Sequence, residues 1–175
     1  MLFILKVIAA LILLAVVVIG IYILLQGKEE MFFEVTQRTK KARLIKRSEN
    51  KLEFEVELPM HNDGKEEGII LDAFIRVYLP QEQYADAQLR GRVNLKEAPR
   101  EDDYFEAMLL GPGVKKTMVV KFELVPEHGV TLKQAVEGMP DVDIALFLDC
   151  RGRTALYTVK KIITLHKDEL QALLA

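Results

Sequence analysis

An all-β domain carried on a single N-terminal transmembrane helix is the architecture this sequence predicts, and three observations predict it. Residues 7–25 hold no charge, and together with residues 1–5 they form an apolar run broken only by Lys6. Beyond Gln26, apolar residues recur at every second position in one run after another, the period of strands with one buried face. Helical spacing shows only in short, late segments, so the strand–helix–strand alternation of a parallel sheet is missing. The expected fold is an immunoglobulin-like antiparallel β-sandwich of about seven strands with short helices. It occupies residues 27–175, behind a transmembrane anchor at 1–26.

The apolar run matches a bilayer in length, since about twenty residues rising 1.5 Å each cross a hydrocarbon core of roughly 30 Å. A cleaved signal peptide needs a shorter apolar core and a small-x-small cleavage site. Past Ile19 only Gly20 and Gly27 are small, so the run reads as an anchor. Gly20 lacks a small partner four residues away, where Val16 and Leu24 stand, so it is no helix-dimer motif. Tyr22 suits the membrane interface, and Lys6 can reach the headgroups along its aliphatic stem.

Orientation draws on conflicting signals. Lys28, Arg38, Lys40, Lys41, Arg43, Lys46 and Arg47 follow the helix, whereas Lys6 precedes it, a count that favours a cytoplasmic domain. The close flank is mixed in sign, however, at Lys28-Glu29-Glu30, and the basic cluster lies in strand-patterned sequence. A short, Lys-bearing N-terminus fits an N-in anchor, so the domain is expected outside the cytoplasm, with the cytoplasmic face as the alternative.

About 150 residues remain for one domain with a sizeable core. The formal charge of -2 argues against nucleic acid as a partner, which needs a concentrated basic surface. A lone cysteine, Cys150, excludes an internal disulfide.

Taken in order, Phe33 and Val35, then Ala42 and Leu44, alternate out of phase, so a bulge between Gln37 and Lys41 is expected. Leu52, Phe54, Val56 and Leu58 alternate with Glu53, Glu55 and Glu57, predicting a buried row and a wet row, closed by Pro59. His61-Asn62-Asp63-Gly64 has the composition of a turn. Ile69, Leu71, Ala73, Ile75, Val77 and Leu79 form the expected inner row of a long strand. Its other row, Ile70, Asp72, Phe74, Arg76 and Tyr78, is half aromatic and half charged and is expected to lie partly under the chain after Pro80. Ala87, Leu89, Gly91, Val93 and Leu95 make the next inner row, leaving Arg90, Arg92 and Lys96 on a basic outer face closed by Pro99.

Tyr104 to Leu110 reads as a short helix after the acidic Glu101-Asp102-Asp103 patch, or as a strand, with Gly111-Pro112-Gly113 a turn in both cases. Met118, Val120, Phe122 and Leu124 are another inner row, ended by Pro126. Thr131 is the expected N-cap of a helix to Val136, with Gly138 just past it and Pro140 preventing continuation. Val142, Ile144, Leu146 and Leu148 pair across an Asp149-to-Arg153 loop with Ala155, Tyr157 and Val159. A bulge is expected at Lys160-Lys161, and Leu170, Leu173 and Leu174 mark a closing helix.

Residues 52–64 followed by 68–79 give a strand, an Asn-containing turn and a second strand. That unit resembles the corresponding part of membrane-anchored β-sandwich domains of the water-stress and late-embryogenesis type 2 kind. The resemblance implies a sandwich at a membrane. The family's Asn-Pro pair is not kept, because Pro59 precedes Asn62, and no functional residue carries over.

Motifs for chemistry are sparse. His61, His128 and His166 fall in three different connections without the spacing that puts two ligands on one face. Met60, His61, His128 and Met139 are the candidates for a soft copper site, set against the plainer reading of loop histidines and core methionines. Cys150 beside Arg151 and Arg153 has the neighbours of a reactive thiol, but Asp149 opposes them and a half-buried structural thiol is the expectation. Asp102 with Asp103, and Asp141 with Asp143, lack the ligand run of a calcium loop. No phosphate loop or nucleophile elbow is found, so no catalytic residue, cofactor or metal is assigned and an enzyme is not expected.

Three function classes follow. The first is a membrane-tethered module that binds a protein partner, with Arg90, Arg92 and Lys96 as the contact candidates for an acidic surface. The second is a copper or redox accessory protein of the same architecture. The third is a cytoplasmic-face module that lays its basic residues on anionic lipid, each worth about 1 kcal/mol near the surface.

Overall fold

The computed structural model describes residues 2–35, 42–80, 82, 84–102, 104–153 and 155–175. The expected bulge between Gln37 and Lys41, and the cations Arg38, Lys40 and Lys41, lie outside the described residues. The chain opens with α1 (Leu2–Leu25), whose side chains stand exposed along nearly its whole length. Among the described residues, Phe3–Leu25 is the one helix long and apolar enough to cross a membrane, a test that an anchor and a signal sequence both pass.

Nine strands follow among the described residues: β1 (Met31–Phe33), β2 (Arg43–Ser48), β3 (Lys51–Asn62), β4 (Gly68–Tyr78), β5 (Ala87–Leu95), β6 (Met108–Leu110), β7 (Lys115–Pro126), β8 (Val142–Arg151) and β9 (Leu156–Leu165). Two short helices accompany them, α2 (Leu132–Gly138) between β7 and β8, and α3 (Lys167–Ala172) at the end. Every pairing is antiparallel. One sheet, here sheet A, runs β1-β3-β7-β5 with β2 also on β3; the other, sheet B, runs β6-β4-β8-β9. The protein is thus an antiparallel sandwich with few helices, as the alternation predicts. Helix α2 carries the chain from one sheet to the other, and its Thr131 forms a reciprocal cap with Gln134.

The alternating rows meet between the sheets. Leu52, Phe54, Val56 and Leu58 of β3 and Met118, Val120, Phe122 and Leu124 of β7 face Ile144, Leu146 and Leu148 of β8 in one buried cluster. Phe54 stacks on Phe122 at 5.1 Å between ring centroids. Burying each such side chain contributes roughly 1.5–3 kcal/mol, which is why the period-two rows dictate the layer arrangement. At Gly91 a Cβ would come within 2.5 Å of Ile75 Cδ1 from the opposite sheet, so a side chain at that inner position would require Ile75 and Phe122 to shift. Leu132, Ala135 and Val136 of α2 and Leu170 of α3 are buried in the same core.

Several local expectations change. Pro59 does not end β3, which runs on to Asn62. Its carbonyl faces β1 and accepts from Glu34 N at 2.9 Å, so its missing N–H falls on that side, between the registers of β1 and β2, where no ladder bond is lost. In β4 a bulge between Ile70 and Asp72 shifts the phase: Ile70 is buried and Leu71 is exposed, the reverse of the expected rows. No bulge occurs at Lys160-Lys161, because Tyr157, Val159, Lys161, Ile163 and Leu165 already share one parity and the ladder with β8 is unbroken. Cys150 and Arg151 belong to β8 rather than to a loop, and the segment before Gly111 gives β6, not a helix. Ala42 is buried as expected, but Leu44 is exposed on an edge strand.

The end of the sandwich nearest α1 is organised by Asn62, which is fully buried. Its Oδ1 accepts from Glu30 N at 3.0 Å and Gly64 N at 2.9 Å. Its Nδ2 donates to the carbonyls of Glu66 and Leu110, each at 2.8 Å. One side chain therefore ties together the segment leaving α1, the β3–β4 turn and the end of β6.

Candidate functional site

The residues that the sequence marks for contact, Arg90, Arg92 and Lys96, lie on or beside the outer face of sheet A, where the register sets each among carboxylates. One row across the strands reads Lys46, Glu53, Glu123, Arg90; the next reads Arg43, Glu55, Lys121, Arg92. Lys51 Nζ sits 2.8 Å from both Glu53 and Glu123, and Lys96 Nζ lies 2.7 Å from Glu57. Arg92 donates to the Glu101 carbonyl at 2.8 Å. Glu55, expected on the wet row, is 6% exposed and takes both Nε and Nη2 of Arg43. The Lys51 hydrogen bond, against burial, holds the Glu53 carboxyl below its ordinary range, and Glu123 and Glu53 raise Lys51. A shallow cleft of about 300 Å³ lies over Arg90, Arg92, Lys121, Glu53 and Glu123. The face is a ladder of mixed charge, its cations interleaved with carboxylates, rather than a purely basic patch.

The outer face of sheet B is built differently. Phe74 pairs with Phe147, and Phe147 with Lys160; Arg76 pairs with Ala145, and Ala145 with Ile162. Phe74 and Phe147 stack at 5.1 Å with 11° between planes. Arg76 lies 5.5 Å from the Phe147 centroid, and Lys160 Nζ lies 5.6 Å from both the Phe147 and Tyr78 rings. Leu71, Phe74, Tyr78 and Ile162 stay exposed on this side. The chain after Pro80 does not cover them as expected: it carries Tyr84 into the core beside α2, where its hydroxyl donates to Ala135 O. The signal in the sequence was apolar residues on both parities of β4 and β8, with no amphipathic helix of sufficient length to bury the second face.

The structure does not bring the suggested metal ligands together. Met60 and Met139 are core residues. His61 projects from β3 to stack on Phe32 at 5.2 Å, between Glu34 at 3.2 Å and Asp63 at 3.3 Å. His128 meets the Ala85 carbonyl at 3.0 Å, and His166 meets Asp141 at 3.0 Å. Among the described residues no group of three His, Cys, Asp or Glu is placed to hold a metal ion. Cys150 is fully buried rather than half-buried, and burial, with Asp149 and Glu29 adding to it, pushes its thiol up to about 12. A thiol so disfavoured as thiolate is a poor nucleophile. Asp141 accepts Lys167 N at 2.7 Å, while Asp143 accepts Thr164 Oγ1 at 2.7 Å, so this carboxylate pair serves two separate contacts. Asp102 pairs with Arg100 at 2.6 Å, and Asp103 lies outside the described residues.

No protein-family model matches the chain, and no curated protein matches it. Distant β-rich domains of solved structure do. An ApaA-type protein from Bordetella pertussis is 11% identical, covering 79% of this chain and 94% of its own, with a TM-score of 0.42. A FixG-related protein from Vibrio parahaemolyticus is 8% identical over 81% of this chain and 95% of its own, with a TM-score of 0.32. The apo PmoF2 PCuAC domain is 14% identical over 78% of this chain and 93% of its own, with a TM-score of 0.30.

Proposed function

We propose that this chain is a single-pass membrane protein that holds a β-sandwich binding module at the membrane surface, outside the cytoplasm, and that the module docks a protein partner on the outer face of sheet B without performing catalysis. The observation that carries the reading is the exposed row of Leu71, Phe74, Tyr78 and Ile162 around the stacked Phe74–Phe147 pair. Contiguous exposed apolar surface on a soluble face marks an interaction site, and aromatics with Arg are the residue types enriched at interface cores. The charge ladder of sheet A is the poorer platform, because a partner seated there must first break ion pairs that already satisfy one another. The anchor reading rests on α1, and it accords with the resemblance to membrane-anchored type 2 sandwich domains.

The test is photocrosslinking of the full-length chain in its own membrane. A crosslinking amino acid in place of Phe74 is expected to capture a discrete partner, and one in place of Arg90 none. Capture only from Arg90 would return the contact to the basic residues that the sequence marks. Labelling of an introduced cysteine at Asn50 from outside the sealed membrane is the expected topology; labelling only after permeabilisation would move the module to the cytoplasmic side.

A further inference from the structure

We infer that the end of the sandwich nearest α1 is a second membrane-contacting surface, seated in the headgroup layer of the bilayer that α1 crosses; this rests on reading α1 as an anchor. The chain gains no slack after the helix. Lys28, three residues past Leu25, already accepts from Lys65 N at 3.0 Å, and Glu30 O accepts from Asp63 N at 3.0 Å. Three extended residues span at most about 10 Å. Leu24 and Leu25 of the helix line one cleft with Asp63, Gly64 and Lys65, so the last helical turn and the β3–β4 turn are neighbours.

Gly64 makes this clasp tight, since a Cβ there would strike the backbone of Lys28 and Glu30. Beside Gly152 lies the Glu29 carboxylate, whose Oε2 accepts from Arg153 N at 3.4 Å. The β8–β9 turn is thereby drawn to the same junction, and the turn at 111–114 joins it through Asn62 N donating to Val114 O at 3.3 Å. Three turns therefore surround the point where the chain leaves the membrane.

The bilayer is the occupant that the geometry selects. A 24-residue helix is about 36 Å long, roughly 6 Å more than the hydrocarbon core, and the polar layer adds roughly 5–7 Å on each side. A turn held within about 10 Å of the helix end lies in or against that layer, and tilt of the helix draws it closer. The rim facing it carries exposed apolar residues: Leu109 and Leu156 are 58% and 68% exposed at the two edges of one row across sheet B, and Val114 tips the neighbouring turn. Around them Lys28, Lys65, Arg151 and Arg153 mingle with Glu29, Glu30, Asp63 and Glu66, a balance of sign that suits zwitterionic headgroups more than a strongly anionic surface.

The test uses the full chain reconstituted into phosphatidylcholine vesicles, with a fluorophore on V114C, L156C or N50C. The buried Cys150 thiol does not compete for label. Asn50 precedes the 12-residue β3 and serves as the far-end control, about 40 Å from the junction. A nitroxide on the lipid headgroup should quench the labels at 114 and 156 several-fold more than the label at 50, with or without added anionic lipid. Equal quenching at all three positions overturns the seating. Shielding of 114 and 156 from aqueous iodide without lipid quenching also overturns it and assigns the surface to a protein or a second copy. Failure of the chain to float with vesicles after alkaline carbonate is a different result, which removes the anchor reading itself.

Discussion

The outer faces of the two sheets arise from the same period-two alternation and end chemically opposed. On sheet A most outward positions at the middle of the face are charged, and the register sets Glu53, Glu55, Glu57 and Glu123 among Lys46, Lys51, Arg90, Arg92, Lys96 and Lys121, so much of the charge is paired within the face. On sheet B the outward positions mix Phe74, Tyr78, Phe147 and Ile162 with Arg76 and Lys160, and the cations lie over the rings instead of on carboxylates. One face has spent its polar groups on its own neighbours; the other keeps apolar area that only an outside surface can bury. Alternation of apolar and polar residues locates a core, while the cross-strand partner of each outward residue determines whether a face is available for binding.

The strongest disruption removes both faces together by breaking the layer between them. Phe54→Asp under sheet A, or Leu146→Asp under sheet B, buries a carboxylate with no partner in a site of 0% exposure. The cost is several kcal/mol against a total domain stability of about 5–15 kcal/mol, so loss of the cooperative melt is expected for each variant of the full chain. A parent-like melting temperature for either would mean that the two faces do not share this core.

Next in size is a contrast within sheet A. Glu55→Lys replaces the buried carboxylate of the Arg43 pair with a third cation beside Arg43 and Lys121, at an expected cost of about 2–4 kcal/mol. The equivalent change on sheet B, Phe74→Lys, alters an exposed position and should cost about 1 kcal/mol or less. Denaturant midpoints decide this; equal losses would erase the distinction between a satisfied face and an available one.

Much of this contrast was legible in the sequence, and the remainder was hidden for definite reasons. The rows at 52–58, 87–95, 118–124 and 142–148 were readable because an apolar residue or glycine stands at every second position without a break. The bulge in β4 was not, since Ile69, Ile70 and Leu71 are all apolar and either phase looks buried until β8 pairs with them. Glu55 looks like Glu53 and Glu57 in sequence; only the arrival of β2 over that part of β3 buries it under Arg43. Arg90, Arg92 and Lys96 looked like a basic patch because the carboxylates beside them come from β3 and β7, and the carbonyl that Arg92 meets comes from the segment after β5. Asn62 has turn chemistry in the sequence, but its hub role depends on Glu30 and Leu110, which lie 32 and 48 residues away.

A smaller effect separates the faces functionally. Arg90→Glu places a like charge opposite Glu123, and Arg92→Glu, whose cross-strand partner is Lys121, gives up the bond to the Glu101 carbonyl; together they should cost about 1 kcal/mol in stability. Partner capture from a crosslinker in place of Ile162 should survive that change and be lost in Phe74→Ser with Tyr78→Ser. Retention in the aromatic double variant and loss in the charge variant would exchange the roles assigned to the two sheets.

The smallest expected effect is a difference in acid response. Glu53 is held below its ordinary carboxylate range first by its hydrogen bond to Lys51, so its folded-state value lies under its unfolded value. A depressed carboxylate contributes stability that is fully present above the unfolded value, near 4.5 for Glu, and is lost as pH falls through the folded one. Sheet A should therefore weaken as pH drops below that range, and Glu53→Gln should flatten that part of the stability curve while lowering stability at neutral pH. The aromatic face of sheet B has no such ladder, so Phe74→Ser should leave the slope of stability against pH unchanged. Solvent screening keeps the Glu53 contribution small, since Lys51 and Glu53 are both partly exposed, and raised salt should shrink it further. Denaturant melts of the full chain in detergent at a series of pH values measure both slopes. An acid slope that persists unchanged in Glu53→Gln would move the sensitivity off the ladder, to the Asp141 carboxyl that Lys167 N and His166 hold low at the far end of β8.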